Sequence, residues 1–273
     1  IGVMLPYAPL QLLLFSYNDG LHMPDLLVMT SANRSGMPIC RTDEEVRTDL
    51  PGLCDLILSH DRDILLRLDY SVVTLFEEEP YMIRRSRGYA PLPIHVNGDF
   101  HGTVLSAGGE LKNTVCLAKD NLFYLSPHIG DVGCVRPEAA QHECAERLRD
   151  LLEITTQCGA ADIHPAYESA QLVKQARIPV IPVQHHYAHI LSCMAENGCS
   201  DEVIGIALDG TGYGTDGTIW GGEVLRVSYD GFTRLGSVSP FLHAGGDAAV
   251  RDGWRSALSF MYTLYGLSLI HIS

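Results

Sequence analysis

An α/β fold is predicted by three features of this sequence: short apolar runs of strand length, glycine-rich turns that follow them, and helical stretches between them. Residues 26–30, "LLVMT", stop at "SANRSG" and read as a buried strand feeding a polar loop. "TDEEVRTDLPG" has an acidic helix start and a Pro-Gly stop. "LCDLILSHDRDI" and "DYSVVTLFEEEPYMIRRS" read as strands with charged turns. Proline and glycine then cluster in "RGYAPLPIHVNGDFHG" without hydrophobic period, which places a domain boundary near residue 97. Beyond it, "HGTVLSAGGELKNTVCLAKDNLFYLS" predicts strand, glycine turn, strand, Lys-Asp-Asn turn and strand. A helix is expected over about 137–155, "IPVIPV" as a short buried strand, and "VIGIALDGTGYGTDGTIWGGEVLRVS" as strand, glycine hairpin and strand.

Composition narrows the function classes. With 46% hydrophobic and 19% charged residues, the chain is that of a globular enzyme. A net charge of −14 argues against a broad nucleic-acid footprint, so any anion site must be a local basic cluster. The cysteines are scattered and form no CxxC pair, which fits reduced thiols in a cytoplasmic setting better than a disulfide framework or a zinc finger. "IGVMLPYAPLQLLLF" lacks the basic start of a signal peptide, and no run long enough to cross a bilayer follows. A chain that opens on Ile is expected to be a piece of something longer.

"VQHHYAHI", residues 183–190, sets three histidines within five positions. On a helix over 185–197 capped by Gly198, Tyr187, Ile190, Leu191 and Met194 form the buried stripe. His185 and His189 lie one turn apart on the opposite side and can converge on one point, while His186 sits on the flank. An HxxxH pair suits zinc or iron, but spacing alone also fits two solvated histidines. Asp209, at the end of "VIGIALD", is either a third ligand or the Asx residue that opens the hairpin. The hairpin "DGTGYGTDGTIWGGE" offers bare backbone amides to a ligand, and "GGELKN" is a second such turn with Lys112 as a phosphate contact or a solvated lysine. Upstream, "TSANRSG" presents hydroxyls and an amide. "IRRSRG" offers Arg84 and Arg87 either as phosphate clamps or as a basic surface turn. There is no Walker sequence and no GxGxxG.

Taken together, "LVMTSANRSGMPIC", "LSHDRDILLRLDYSVV", "IRRSRGYAPLPI", "GGELKNTVCLAK", "VQHHYAHILSCMAENG" and "LDGTGYGTDGTIWGGEVL" resemble, in collinear order, the HypF carbamoyltransferase family of nickel–iron hydrogenase maturation. The resemblance implies a truncated YrdC-like α/β domain over 1–97 and the first part of an ASKHA-type carbamoyltransferase domain over 98–273. The first would make carbamoyl-adenylate from ATP and carbamoyl phosphate-derived carbamate. The second would pass the carbamoyl group to the C-terminal cysteine of HypE; the acidic charge and the lack of a spanning run make neither nucleic acid nor a membrane an expected partner. It implies a metal (zinc or iron) on His185, His189 and Asp209, which would also carry the transfer chemistry. ATP, accompanied by magnesium, would meet Lys112, Asn113, Gly210, Gly212, Gly221, Gly222 and Glu223. Ser31, Asn33, Ser71, Arg84 and Arg87 would form the YrdC-type ATP site.

The chain departs from the family at Tyr70 in "DYSVV", at "SPHIGDVGC" and at "RDGWR", and its closing "SLIHIS" matches nothing there. The resemblance implies that upstream domains and a remaining metal carboxylate would lie outside this sequence, so the chain by itself is not expected to complete the cycle. Two rivals stay open. An antibiotic O-carbamoyltransferase uses the same modules in the opposite order, and a non-catalytic remnant would bind nucleotide or HypE without turnover. A tRNA threonylcarbamoyl-adenylate synthase would explain only the first third.

Overall fold

The computed structural model describes residues 3–35, 37–133 and 135–266, so the "SLIHIS" tail lies outside the described residues. The chain divides into two compact units, residues 1–35 with 39–65 and residues 36–38 with 66–273.

The first unit carries two helices, α1 (Pro9–Ser16) and α2 (Asp43–Asp49). The start of α2 is written in its sequence: Thr42 Oγ1 accepts the Glu45 N–H, and the Glu45 carboxylate reaches back to the Thr42 N–H. The strands expected at 26–30 and within 53–64 do not form. Leu26 and Val28 are fully solvent-facing, and no described segment pairs with either run. An apolar run becomes a strand only when neighbours take its backbone N–H and C=O groups.

The second unit opens with the hairpin β1 (Val72–Phe76) and β2 (Glu79–Arg84), turned by Glu77 and Glu78 at positive φ. There follow β3 (Pro93–His95), β4 (Thr103–Ser106), β5 (Cys116–Lys119) and β6 (Leu122–Leu125), then helix α3 (Val135–Leu152) and β7 (Cys158–Asp162). The short helix α4 (Gln171–Gln175) leads to β8 (Val180–Val183). These strands form one sheet in the order β3-β6-β5-β4-β7-β8, antiparallel from β3 to β4 and parallel from β4 through β8. Its core packs Leu105, Leu117, Leu148, Ala161 and Val173. A Cβ on Gly159 would meet Val173 at 2.6 Å, so this glycine lets α4 close onto β7. The "IPVIPV" strand is an edge rather than a buried strand, and Pro182, which has no N–H for the ladder, suits it to that position.

Helix α5 (His185–Glu196) leads into β9 (Val203–Ala207), the small hairpin β10 (Gly212–Tyr213) and β11 (Ile219–Trp220), then β12 (Glu223–Ser228) and β13 (Gly231–Ser237). A second sheet has the order β13-β12-β9. As predicted, Ile190 and Met194 of α5 are buried against it, together with Leu225, Val227 and Trp220, and Tyr187 and Leu191 flank them. β9 is covered on one face only: Gly205 and Ala207 turn toward α5, whereas Ile204 and Ile206 are exposed. Helices α6 (Asp247–Arg251) and α7 (Gly253–Tyr265) complete the described chain. Among the described residues no helix is long and apolar enough to cross a membrane.

Candidate metal centre

Three elements deliver the centre. β7 and β8 run parallel with Asp162 opposite Val183, so the end of β7 lies beside the start of α5. Gln184 caps that helix, its Oε1 accepting the Tyr187 N–H at 2.9 Å. The first turn of α5 therefore projects His185 toward the end of β7. β9, packed under α5, brings the chain to Asp209 two residues beyond its own end.

His185 Nε2 lies 2.9 Å from Asp209 Oδ2, and His189 Nε2 lies 3.3 Å from the same oxygen. The two imidazole Nε2 atoms are 3.2 Å apart. All three ligand atoms fall within 4.8 Å of one another, a spacing compatible with one shared ion. Asp162, absent from the sequence reading, is 92% buried at its side chain, and its Oδ2 lies 2.8 Å from His185 Nδ1. With its Nδ1–H given to Asp162, His185 presents a lone pair at Nε2 to the Asp209 carboxylate and to His189. Electron-rich atoms this close repel unless a proton or a cation lies among them, so the donor set fits a divalent ion. The hydrogen bond that His185 donates to Asp162 raises the His185 pKa above its ordinary 6.5 against the opposing pull of burial, so a proton competes for the same position.

His186 is not the flank residue that the helical angles suggest. It is completely buried, with Nε2 2.8 Å from Asp209 Oδ1 and Nδ1 3.0 Å from Gln184 Nε2. Angles place a side chain around its own helix but say nothing about what covers it, and here the β10–β11 hairpin does. A Cβ on Gly212 would meet His186 Cε1 at 2.5 Å and His185 Cδ2 at 2.8 Å, so Gly212 admits the hairpin against both rings. Burial lowers the His186 pKa and keeps the ring neutral.

The other expected site residues have the following partners. Gly210 N–H donates to Gly221 O at 3.0 Å, and the Gly221 N–H points at Glu223 Oε1. Gly222 O accepts from Val238 N–H. Glu223 is buried and held by Arg234 through Nε at 2.6 Å, and Arg234 also stacks on Trp220. Asn113 is buried, its amide donating to Ala107 O and Gly109 O, where it holds the glycine turn of "GGELKN". Lys112 is exposed at positive φ, with its N–H on Asp131 Oδ1 at 2.8 Å.

In the first unit, Ser31 O accepts the Asn33 N–H, and the Asn33 amide donates to Arg34 O. In the second unit, Ser71 Oγ donates to Arg87 O and accepts the Ser86 N–H, which ties the ends of the β1–β2 hairpin together. Arg84 is paired with Asp69, and the Arg87 guanidinium lies over the Tyr70 ring.

The comparisons with known proteins follow this architecture. Residues 1–86 match the Sua5/YciO/YrdC family, 99–196 the HypF Kae1-like domain, and 205–272 the second subdomain of the Kae1-like carbamoyltransferase domain. The carbamoyltransferase HypF of Rhizobium leguminosarum bv. viciae is 36% identical over 95% of this chain, and that of Synechocystis sp. is 41% identical over 97%. The chain spans 34% of the length of each. Among solved structures, full-length HypF in its phosphate- and nucleotide-bound form aligns with a TM-score of 0.80 at 40% identity, covering 85% of this chain and 37% of that one. HypF of T. kodakarensis aligns with the same score and identity over 87% and 31%. The α/β class and the predicted order, a YrdC-like module before an ASKHA-type module, agree with these matches. The order also separates the chain from the rival with reversed modules. By its collinear matches to both modules and its identity to these relatives over nearly its whole length, the chain belongs to the HypF carbamoyltransferase family.

Proposed function

We propose that this chain contributes to carbamoyl transfer in nickel–iron hydrogenase maturation, with its YrdC-like part serving formation of a carbamoyl-adenylate from ATP and its Kae1-like part serving transfer to the C-terminal cysteine of HypE. The observation that carries this reading is the convergence of His185, His189 and Asp209 in a Kae1-like domain. Zinc or iron held by these residues would polarise the carbamoyl carbonyl as its oxygen gains charge.

The chain's own residues account for the rest. Asp162 retains the proton on His185 Nδ1 and so leaves Nε2 free to act as a ligand. Asp209 supplies the negative charge, and the β10–β11 hairpin walls the inner side of the two adjacent histidine rings. ATP, with magnesium, is assigned to the faces carrying Lys112 and the glycine turns. The phosphate- and nucleotide-bound state of the related full-length HypF supports an anion site of this kind in the family.

The test is Asp209→Asn in a full-length protein. Asn keeps the shape and a capping oxygen but loses the charge, so a residue that merely opens a turn tolerates it, whereas a ligand does not. Pyrophosphate release, which reads adenylate formation, is expected to persist. Carbamoylation of the HypE C-terminal peptide, read by mass spectrometry, is expected to fall at least about tenfold, equivalent to about 1.4 kcal/mol of transition-state stabilisation. A normal rate of HypE carbamoylation in this variant refutes the three-ligand site.

A further inference from the structure

The proton on His186 has only one place to sit. Gln184 Oε1 accepts the Tyr187 N–H at 2.9 Å, and its Nε2 donates to Tyr213 O at 3.1 Å. Two backbone groups of opposite polarity thus settle which end of the amide is which. The same Nε2 lies 3.0 Å from His186 Nδ1, which must therefore accept, so the ring carries its proton on Nε2. That nitrogen is completely buried, 2.8 Å from Asp209 Oδ1 without a fully formed hydrogen bond to it, and among the described residues no other acceptor engages it. A buried N–H left in this state costs stability, and the cost is relieved only by Oδ1 coming into line. Rotation of the ring is no escape, because the hairpin at Gly212 packs against Cε1.

We propose that Gln184 and His186 are positioning residues for Asp209: the amide fixes the imidazole as its Nε2–H form, and that N–H claims Oδ1 so that Oδ2 is left for the cation shared with His185 and His189. The inference rests on the metal reading given above. It assigns a task to the middle histidine of "HHYAH" that ligand spacing alone leaves without one.

Two measurements on the 273-residue chain test it. In the metal-free protein labelled with 15N-histidine, the His186 signal, identified by its loss in His186→Gln, is expected to show unprotonated Nδ1 and protonated Nε2. The opposite tautomer overturns the proposal. Zinc affinity, measured by competition with a chromophoric chelator, is expected to fall about tenfold to a hundredfold in His186→Leu. It is expected to recover for the most part in His186→Gln, whose amide N–H can stand where the imidazole Nε2–H stood. A role in packing alone demands the reverse order, since Leu suits an apolar hole and Gln does not. Equal affinity in wild type and His186→Leu therefore sinks the idea, as does Gln performing no better than Leu. Should His186→Leu fail to fold, Gln184→Met decides: mixed tautomers with weakened zinc support the pair, and an unchanged spectrum and affinity overturn it. If the wild-type chain binds no zinc, the metal reading itself fails and takes the positioning role with it. The tautomer measurement distinguishes that outcome from a failure of the Gln184–His186 pair to fix the imidazole.

Discussion

At the scale of single side chains, the proposed metal site makes Asp162 the group that governs when His185 could serve as a ligand. Proton and cation compete for Nε2, and the Asp162 hydrogen bond raises the His185 pKa above 6.5. Zinc binding is accordingly expected to be full on the alkaline side and to fall as pH drops through that raised value. Asp162→Asn should weaken the plateau affinity by about tenfold to a hundredfold, since an outer-sphere carboxylate that orients and charges its histidine is lost. The same change should move the acid fall to lower pH, because the neutral amide no longer stabilises the imidazolium. An acid limb at the same pH in both proteins would exclude His185 as the titrating ligand. In the metal-free chain the sign is the reverse. A folded pKa above the unfolded one contributes stability that is full below about 6.5 and lost as pH rises through the folded value. The urea-midpoint difference between wild type and Asp162→Asn should therefore shrink as pH rises through the raised His185 value.

At the scale of elements, the centre depends on how closely α5 lies on β9. A Cβ at Gly205 would meet Ile190 Cδ1 at 2.4 Å and both its γ carbons within 2.7 Å, so the whole side chain must move and not just its tip. Gly205→Ala is expected to cost about 1–3 kcal/mol of stability through this overpacking. Because the displaced helix carries both proposed histidine ligands, zinc affinity should fall with it. Combining Gly205→Ala with Ile190→Val opens space at the contact, so the double variant should be more stable than the sum of the two single changes predicts. Strict additivity in denaturant melts would show that the contact is not what holds the helix. The sheet ladder puts no such demand on α5, since β9 pairs with β12 whether or not the helix is close.

At the scale of the second unit, the site sits on a seam. Asp162 ends a strand of the six-stranded sheet, Asp209 follows a strand of the three-stranded sheet, and α5 runs between them from the edge strand β8 to β9. The two sheets carry separate buried clusters, one around Leu105 and Leu117, the other around Leu225 and Trp220. A cation held by His185, His189 and Asp209, as proposed, would stabilise the folded state by mass action. Zinc at a hundredfold excess over its dissociation constant should add about 2.7 kcal/mol to the unfolding free energy. The shift should vanish in His185→Ala, and a thermal melt with and without zinc reads it. A shift of equal size in His185→Ala would place the zinc elsewhere on the chain.

What the sequence alone determined is the set of features governed by near neighbours. The acidic start of α2, the turns at Glu77-Glu78 and Asp120, the β4–β5–β6 meander and the apolar stripe of α5 are all local in chain distance, so residue pattern suffices to read them. The pairing of His185 with His189 belongs to the same class, one helical turn apart. Only the tertiary structure decided the rest. "LLVMT" has a strand's composition but joins no sheet among the described residues, and composition carries no information about which strands will lie alongside. Asp162 lies 23 residues before the histidine it holds, joined to it only because β7 and β8 run parallel in register. His186 is buried by a hairpin that arrives later in the chain, at Gly212. Helical period fixes the direction in which a side chain leaves its helix, but the packing of distant strands determines whether it meets water, a carboxylate or a wall.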